Sequence, residues 1–340
     1  MKRENQTEFK LLSLREEKQL SKEELITYYE DLRNYALNRK LTNTTLGALT
    51  ICPKLKKGVE KIATAVTKIL AGGEIEIVVD GQKNIPDGTA IFASTHQSVL
   101  DTFCYIPYCE KHCLILLNSD VNKILILAQV DSGLILVSKV EDDIEHRIKA
   151  KLDMKKILLK GHSIWWFPEG TWNLSPNKLH LPMSFGFLEI AKKTQVPVVP
   201  VVMECTYDSS TDKEKITKLH ISYGRPVRVG IEDDLSQKLL EYEEIISTIR
   251  WNLIEEKGLF QREKITNWDY INYLKGNYKN LEMGKKCLEL ERKRIRNARD
   301  EFYKFHHIND IPFNEKGEFL ETEEVRKLNK IFETKLNLQM

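Results

Sequence analysis

An α/β fold is what this 340-residue sequence predicts: a mixed, largely parallel sheet flanked by helices, with helical extensions before and after it. Three observations carry the prediction. Between about 74 and 230, short β-branched apolar runs alternate with segments of helical period, the pattern of strands joined by crossover helices. Outside that stretch the strand-like runs stop and apolar residues recur at three and four. The composition, 41% hydrophobic and 30% charged, is ordinary for a soluble domain with a sizeable core.

Residues 1–73 read as helices. The stretch 8–38 is rich in charge, with spaced Leu, Ile and Tyr. In 55–70, Leu55, Val59, Ile62, Val66 and Ile69 repeat at three and four and predict an amphipathic helix with those residues as its apolar face. Its polar face carries Lys54, Lys56, Lys57, Lys61 and Lys68 against Glu60, and Gly72 and Gly73 stop it. This first region has 14 basic and 9 acidic side chains, so it is a candidate for docking on a membrane, although a solvated lysine face is the more ordinary use of such a pattern.

The central region, 74–230, predicts strands at 74–79, 89–94, 114–118, 134–138, 163–167, 196–203 and 218–223, with helices at 142–159 and 185–194 between them. Pro197 and Pro200 place the 196–203 strand at an edge or a bulge, because proline gives no N–H to a ladder. The third region, 231–340, returns to helix, with Arg292, Lys293, Arg294, Arg296 and Arg299 close together.

Several function classes lose support. The net charge is only +2, and no recognised module or aromatic interleaving accompanies the basic run, so nucleic-acid binding is not expected. No apolar run approaches the 18 to 20 residues of a spanning helix, and residues 1–10 are polar, so a cytoplasmic protein is expected. The cysteines form no C-x-x-C pair, and Cys109, His112 and Cys113 lack the second half of a zinc site, so no metal is expected. G-x-S-x-G and P-loop patterns are absent, which removes serine-hydrolase and nucleotide chemistry.

The polar residues at strand ends carry the chemistry. A strand ending near 94 runs into Thr95, His96, Gln97, Ser98 and Asp101. A carboxylate can accept one ring N–H of a histidine, fix its tautomer and stabilise the imidazolium, while the other nitrogen takes a proton from a hydroxyl. On a regular helix, residues five apart stand about 140° apart and would not meet, so the pair needs a turn or helix start between them, which Ser98 could cap. A lone H-x4-D is weak, and an ordinary loop histidine explains it as well. A second strand end reads Phe167, Pro168, Glu169, Gly170, Thr171. Proline stops the strand, glycine lets the backbone approach closely, and a carboxylate and a hydroxyl stand at the rim.

Together these motifs resemble the lysophospholipid acyltransferase family, the group of 1-acyl-sn-glycerol-3-phosphate acyltransferase-like proteins. His96 and Asp101 match its H-x4-D motif. Gly133 to Lys139 matches G-x5-R, with Lys139 where arginine is usual. Phe167 to Thr171 matches F-P-E-G-T-R, with Trp172 in place of the arginine. Val196, Pro197 and Pro200 match V-P-x-x-P, and order and spacing agree over about 74–229.

The resemblance implies a glycerolipid acyltransferase-like fold and an O-acyltransferase of phospholipid biosynthesis. His96 would be the base and Asp101 its orienter. Ser98, Gly133, Lys139, Glu169, Gly170 and Thr171 would bind substrate. Acyl-CoA or acyl carrier protein would be the donor substrate, with no cofactor, on the inner face of a membrane. The departures at Lys139 and Trp172, with Ser184 where the family has a lysine, thin out the cations that serve an acceptor phosphate. They favour a lysolipid, glycolipid or cell-surface polymer precursor as acceptor, and they keep open a decayed, lipid-binding protein.

Overall fold

The structure is a computed structural model and describes residues 9–98, 100–109, 111–119, 132–138, 143–173, 179–208 and 215–256. Lys139 and the basic run 292–299 lie outside them. Strands β1 (Thr44–Thr45), β2 (Glu76–Asp80), β3 (Ile91–Ser94), β4 (Cys113–Asn118), β5 (Leu134–Val137), β6 (Ser163–Trp166), β7 (Val198–Asp208) and β8 (Lys215–Tyr223) form one sheet. Their order is β1-β5-β4-β6-β3-β7-β8-β2. Five pairings are parallel and two, β1 with β5 and β7 with β8, are antiparallel, so the sheet is mixed and largely parallel. At its centre Ile91 of β3 stands opposite Ile164 of β6 on one side and Val198 of β7 on the other.

Helices α1 (Lys22–Asn38), α2 (Lys56–Ala71), α3 (Asp101–Tyr108), α4 (Ile144–Leu159), α5 (Gly186–Thr194) and α6 (Leu235–Glu256) accompany the sheet. Alternation along β3 sorts them. Phe92 joins a core layer with Val59 and Ala63 of α2 and Cys104 and Tyr105 of α3. Ile91 and Ala93 join the opposite layer with Met154 of α4, Phe187 of α5 and Tyr242 of α6. Both faces of the central strands are thus covered, which is why they read as unbroken apolar runs. Trp165 is fully buried, stacked between Phe92 at 5.5 Å and Tyr105 at 5.0 Å.

In the N-terminal stretch Ser13 and Ser21 each form a capping box, with Glu16 and Glu24, so a one-turn helix precedes α1. Two sequence expectations change. The proline-bearing strand is neither at the edge nor bulged at its prolines. β7 lies between β3 and β8, and its one register shift falls at Thr206/Tyr207. Pro200 is tolerated because it sits past the end of the β8 ladder at Val201–Tyr223. Only its carbonyl is used there, accepting from Gly224 N–H at 2.8 Å. Finally, the buried line of α2 is Val59, Ala63, Thr67 and Ala71, while Leu55, Ile62 and Ile69 are 50%, 61% and 77% exposed.

The chain divides into two compact units, Met1–Asn173 with Met183–Glu263, and Leu174–Pro182 with Lys264–Met340. The first contains the sheet. Of the second, residues 179–182 are described, and there His180 Nδ1 lies 2.9 Å from Leu181 O.

Candidate active site

β6, β3 and β7 are neighbours and parallel, so their C-terminal ends meet at one edge of the sheet, where sites of open α/β folds are built. β3 is held to β7 just before the site: Thr95 N–H donates to Val201 O at 3.1 Å, and Met203 N–H donates to Thr95 Oγ1 at 3.0 Å. His96 follows at once. Five residues later Asp101 opens α3.

The turn required between them is present, and the carboxylate itself builds it. Asp101 Oδ2 accepts the backbone N–H of Gln97, accepts that of Ser98 at 2.8 Å, and faces His96 Nδ1 at 3.0 Å. Ser98 therefore does not cap α3 from the N-cap position, which Leu100 occupies; its Oγ accepts Leu100 N–H at 3.1 Å. Asp101 is fully buried, and the His96 side chain is 12% exposed. An ionised carboxylate at such depth is stabilised by its N–H donors and by the first turn of α3.

The loop after β6 grips His96 from the other side. Glu169 Oε1 accepts His96 N–H at 3.0 Å, and Asn173 N–H donates to His96 O at 2.6 Å. Both backbone groups of His96 are thereby fixed. Phe167 stacks on the imidazole at 4.0 Å and Trp172 meets it edge-on at 6.1 Å. Glu169 and Thr171 are buried, and Gly170 takes φ 66°, a left-handed conformation that glycine adopts without strain. The grip of Glu169 and Asn173 on His96 and the Phe167 stack were not legible in the sequence, since each spans more than 70 residues. Only the strand end at Phe167 hinted that this loop would meet the first.

Gly133 is placed elsewhere. It precedes Leu134, so it lies at the N-terminal end of β5, the far end of the parallel strands from His96, with β4 and β6 between β5 and β3. Its glycine has a steric cause: φ is 91°, and a Cβ would come within 3.0 Å of Leu114 and 3.1 Å of Gly47 N. Ser184 is exposed, and its N–H donates to Pro168 O at 3.0 Å beside the same loop.

The arrangement suits base catalysis by imidazole. His96 Nδ1 is engaged by Asp101, and Nε2 takes no hydrogen bond among the described residues. A thiolate nucleophile is disfavoured. Burial, followed by the nearby Asp101 charge, pushes the thiols of Cys104 and Cys205 far above the ordinary range. Among the described residues no group of three His, Cys, Asp or Glu could hold a metal, and no helix is long and apolar enough to cross a membrane.

Residues 76–204 match the family model described as Acyltransferase. The chain is 28% identical over 127 residues to the chloroplastic 1-acyl-sn-glycerol-3-phosphate acyltransferase BAT2 of Brassica napus, a match covering 37% of this chain and 36% of that one. It is 26% identical over 125 residues to a Caenorhabditis elegans protein named for the same activity, acl-2, covering 36% of this chain and 43% of that one. The match thus spans less than half the length of these relatives. The crystal structure of the 1-acyl-sn-glycerophosphate acyltransferase PlsC from Thermotoga maritima aligns with a TM-score of 0.48 at 20% identity, over 68% of this chain and 90% of that one.

Proposed function

We propose, from the match of residues 76–204 to the family model described as Acyltransferase, that the protein moves a fatty acyl group from a thioester to a hydroxyl of a lysophospholipid or related lipid. The observation that carries this is the His96–Asp101 pair, 3.0 Å apart in the turn between the end of β3 and the start of α3, inside the matched segment. His96 Nε2 takes the proton of the acceptor hydroxyl as its oxygen attacks the thioester carbonyl. Asp101 balances the imidazolium. The tetrahedral intermediate collapses, the C–S bond breaks, and the imidazolium returns its proton to the departing thiolate. The thioester is already activated, so no acyl-enzyme is required. The thiol carrier is acyl-CoA or acyl carrier protein.

The acceptor is one with little exposed phosphate. Trp172 and Ser184 stand beside the site where the family carries cations, and Trp172 offers His96 an aromatic edge at 6.1 Å. Arginine binds phosphate through two parallel hydrogen bonds, whereas tryptophan offers no charge. A neutral monoacyl lipid or glycolipid suits that wall better than lysophosphatidate.

The protein works from the inner face of a membrane, on which α2 rests. Ile51, Leu55, Ile62 and Ile69 are 50–77% exposed, and the exposed Lys54, Lys57 and Lys61 flank them. Apolar side chains with a lysine rim fit an anionic leaflet.

The test is purified full-length protein with vesicles, radiolabelled acyl-CoA or acyl carrier protein, and a panel of monoacyl lipids, run beside His96→Ala. Label entering lipid with the wild type and not with the variant supports the reaction, and the labelled product names the acceptor. Equal labelling by both proteins, or none across the panel, rejects it.

A further inference from the structure

Behind the base lies a buried polar chain that takes no part in the acyl-transfer step itself. Gln97 Nε2 donates to Glu204 Oε2 at 2.9 Å, and Cys205 N–H donates to Gln97 Oε1 at 3.3 Å. The same Glu204 oxygen accepts from Arg250 Nε at 2.5 Å. Gln97, Glu204 and Arg250 are 7%, 5% and 2% exposed. They come from the loop after β3, from β7 and from α6. Taking two charges out of water is costly, and an apolar pair of similar volume often stabilises a core as well or better. Fold stability alone therefore does not explain why the chain is polar.

Its geometry supplies a reason. The backbone N–H of Gln97 donates to Asp101 Oδ2, the oxygen that meets His96 Nδ1. Where the Gln97 side chain is clamped, the peptide plane that aims this N–H is clamped too. We propose that Arg250 and Glu204 are positioning residues for His96, acting through Gln97. This rests on the assignment of His96 as the base. It also gives work to α6, which lies beyond the matched segment 76–204. Tyr242 of the same helix adds a second hold on the strand that delivers His96, donating to Ala93 O at 2.6 Å. A displacement of about 1 Å at a reacting group can cost about 100-fold in rate, so a remote clamp of this kind is felt in kcat.

The experiment uses the full chain with Gln97→Leu, which removes both side-chain bonds at similar size. A companion, Glu204→Leu with Arg250→Met, removes both charges together and so leaves neither buried alone. For each, kcat and KM for donor and acceptor are measured, with Tm and the ¹⁵N spectrum of the His96 ring. In both variants kcat should fall about 10- to 100-fold, with KM within about twofold of wild type. The Nδ1 resonance should shift in both. Wild-type kcat in Gln97→Leu, or a lower Tm with an unchanged imidazole spectrum, overturns the proposal. If the wild type transfers no acyl group, the base assignment fails. The His96 spectrum then decides the clamp by itself: a shift sustains it and no shift removes it.

Discussion

Asp101→Asn separates two roles of the carboxylate that are usually lost together. One Asp101 oxygen, Oδ2, faces His96 Nδ1 and takes the N–H groups of Gln97 and Ser98. The other oxygen, Oδ1, meets Ser98 Oγ at 3.5 Å. An asparagine carbonyl can occupy the Oδ2 place and keep all three partners, with its amide toward Ser98. The turn and the tautomer should survive, and only the charge is lost. A carboxylate and an imidazolium about 4 Å apart attract by about 4 kcal/mol at an effective dielectric of about 20. The expected loss in kcat is therefore about 100- to 1,000-fold, with KM little changed. Asp101→Ala should lose more. It also orphans two buried N–H groups, each worth about 1–3 kcal/mol, and its Tm should fall where that of Asp101→Asn barely moves. The assay is steady-state acyl transfer at saturating donor, with ¹⁵N spectra of the His96 ring. A rate for Asp101→Asn within about fivefold of wild type would refute the charge argument. A spectrum with the proton on Nε2 would refute the claim that one oxygen fixes the tautomer.

Other expectations follow from the same geometry. Trp172→Arg returns a cation beside His96 and should raise kcat/KM for lysophosphatidate, relative to a neutral monoacyl lipid, by about tenfold, the scale of one charge-assisted hydrogen bond; an unchanged ratio argues against the acceptor assignment. Ile62→Ser with Ile69→Ser removes two exposed apolar side chains from α2, and at about 1 kcal/mol each, part of a full burial, binding to anionic vesicles should weaken about 30-fold. Unchanged co-sedimentation would count against docking through this face. Lys155 is buried, and burial, with Lys193 nearby, pulls its pKa down from 10.5 to about 7. The unfolded chain therefore binds the extra proton between those values, and stability should rise with pH from about 7 toward 10.5, at up to about 1.4 kcal/mol per pH unit. Denaturant melts of Lys155→Met should lack that rise; an equal rise in both proteins would show that another group causes it.

The sheet was largely legible because its central strands are buried on both faces. Residues such as Ile91 and Ile164 announce themselves as unbroken β-branched runs whatever lies beside them. β1 was not legible. Two threonines carry no pattern, and their strand character comes from pairing with Leu134 and Ile135, some 90 residues away. The prolines of β7 misled for a related reason. Proline forbids an N–H, but sequence does not say which carbonyls and which partners stand opposite, and Pro200 happens to sit past the end of its ladder. The two prolines therefore mark where pairing with β8 gives out, not where the sheet ends.

The site was legible in its chemistry and not in its supports. His96 and Asp101 lie five residues apart, and a local turn suffices to join them. Glu169 was expected to bind substrate, and nothing in the sequence signalled that one of its carboxylate oxygens also holds the backbone of His96, a bond between strand ends that only the order of β6 beside β3 creates. The place of Gly133 was legible in the sequence. A residue that precedes a strand lies at its N-terminal end, whereas His96 and Glu169 follow theirs, so in parallel strands they belong to opposite edges. The face of α2 is the harder case. Rows spaced by four (Val59, Ala63, Thr67, Ala71) and by seven (Leu55, Ile62, Ile69) lie side by side on one helix, and periodicity counts both as a single apolar stripe. Small residues let α2 approach the layer formed by α3 and the sheet, so the row of small side chains is buried and the larger isoleucines are left outside. A stripe that large side chains extend beyond the packed row is the form an amphipathic helix takes when it has a second surface to meet.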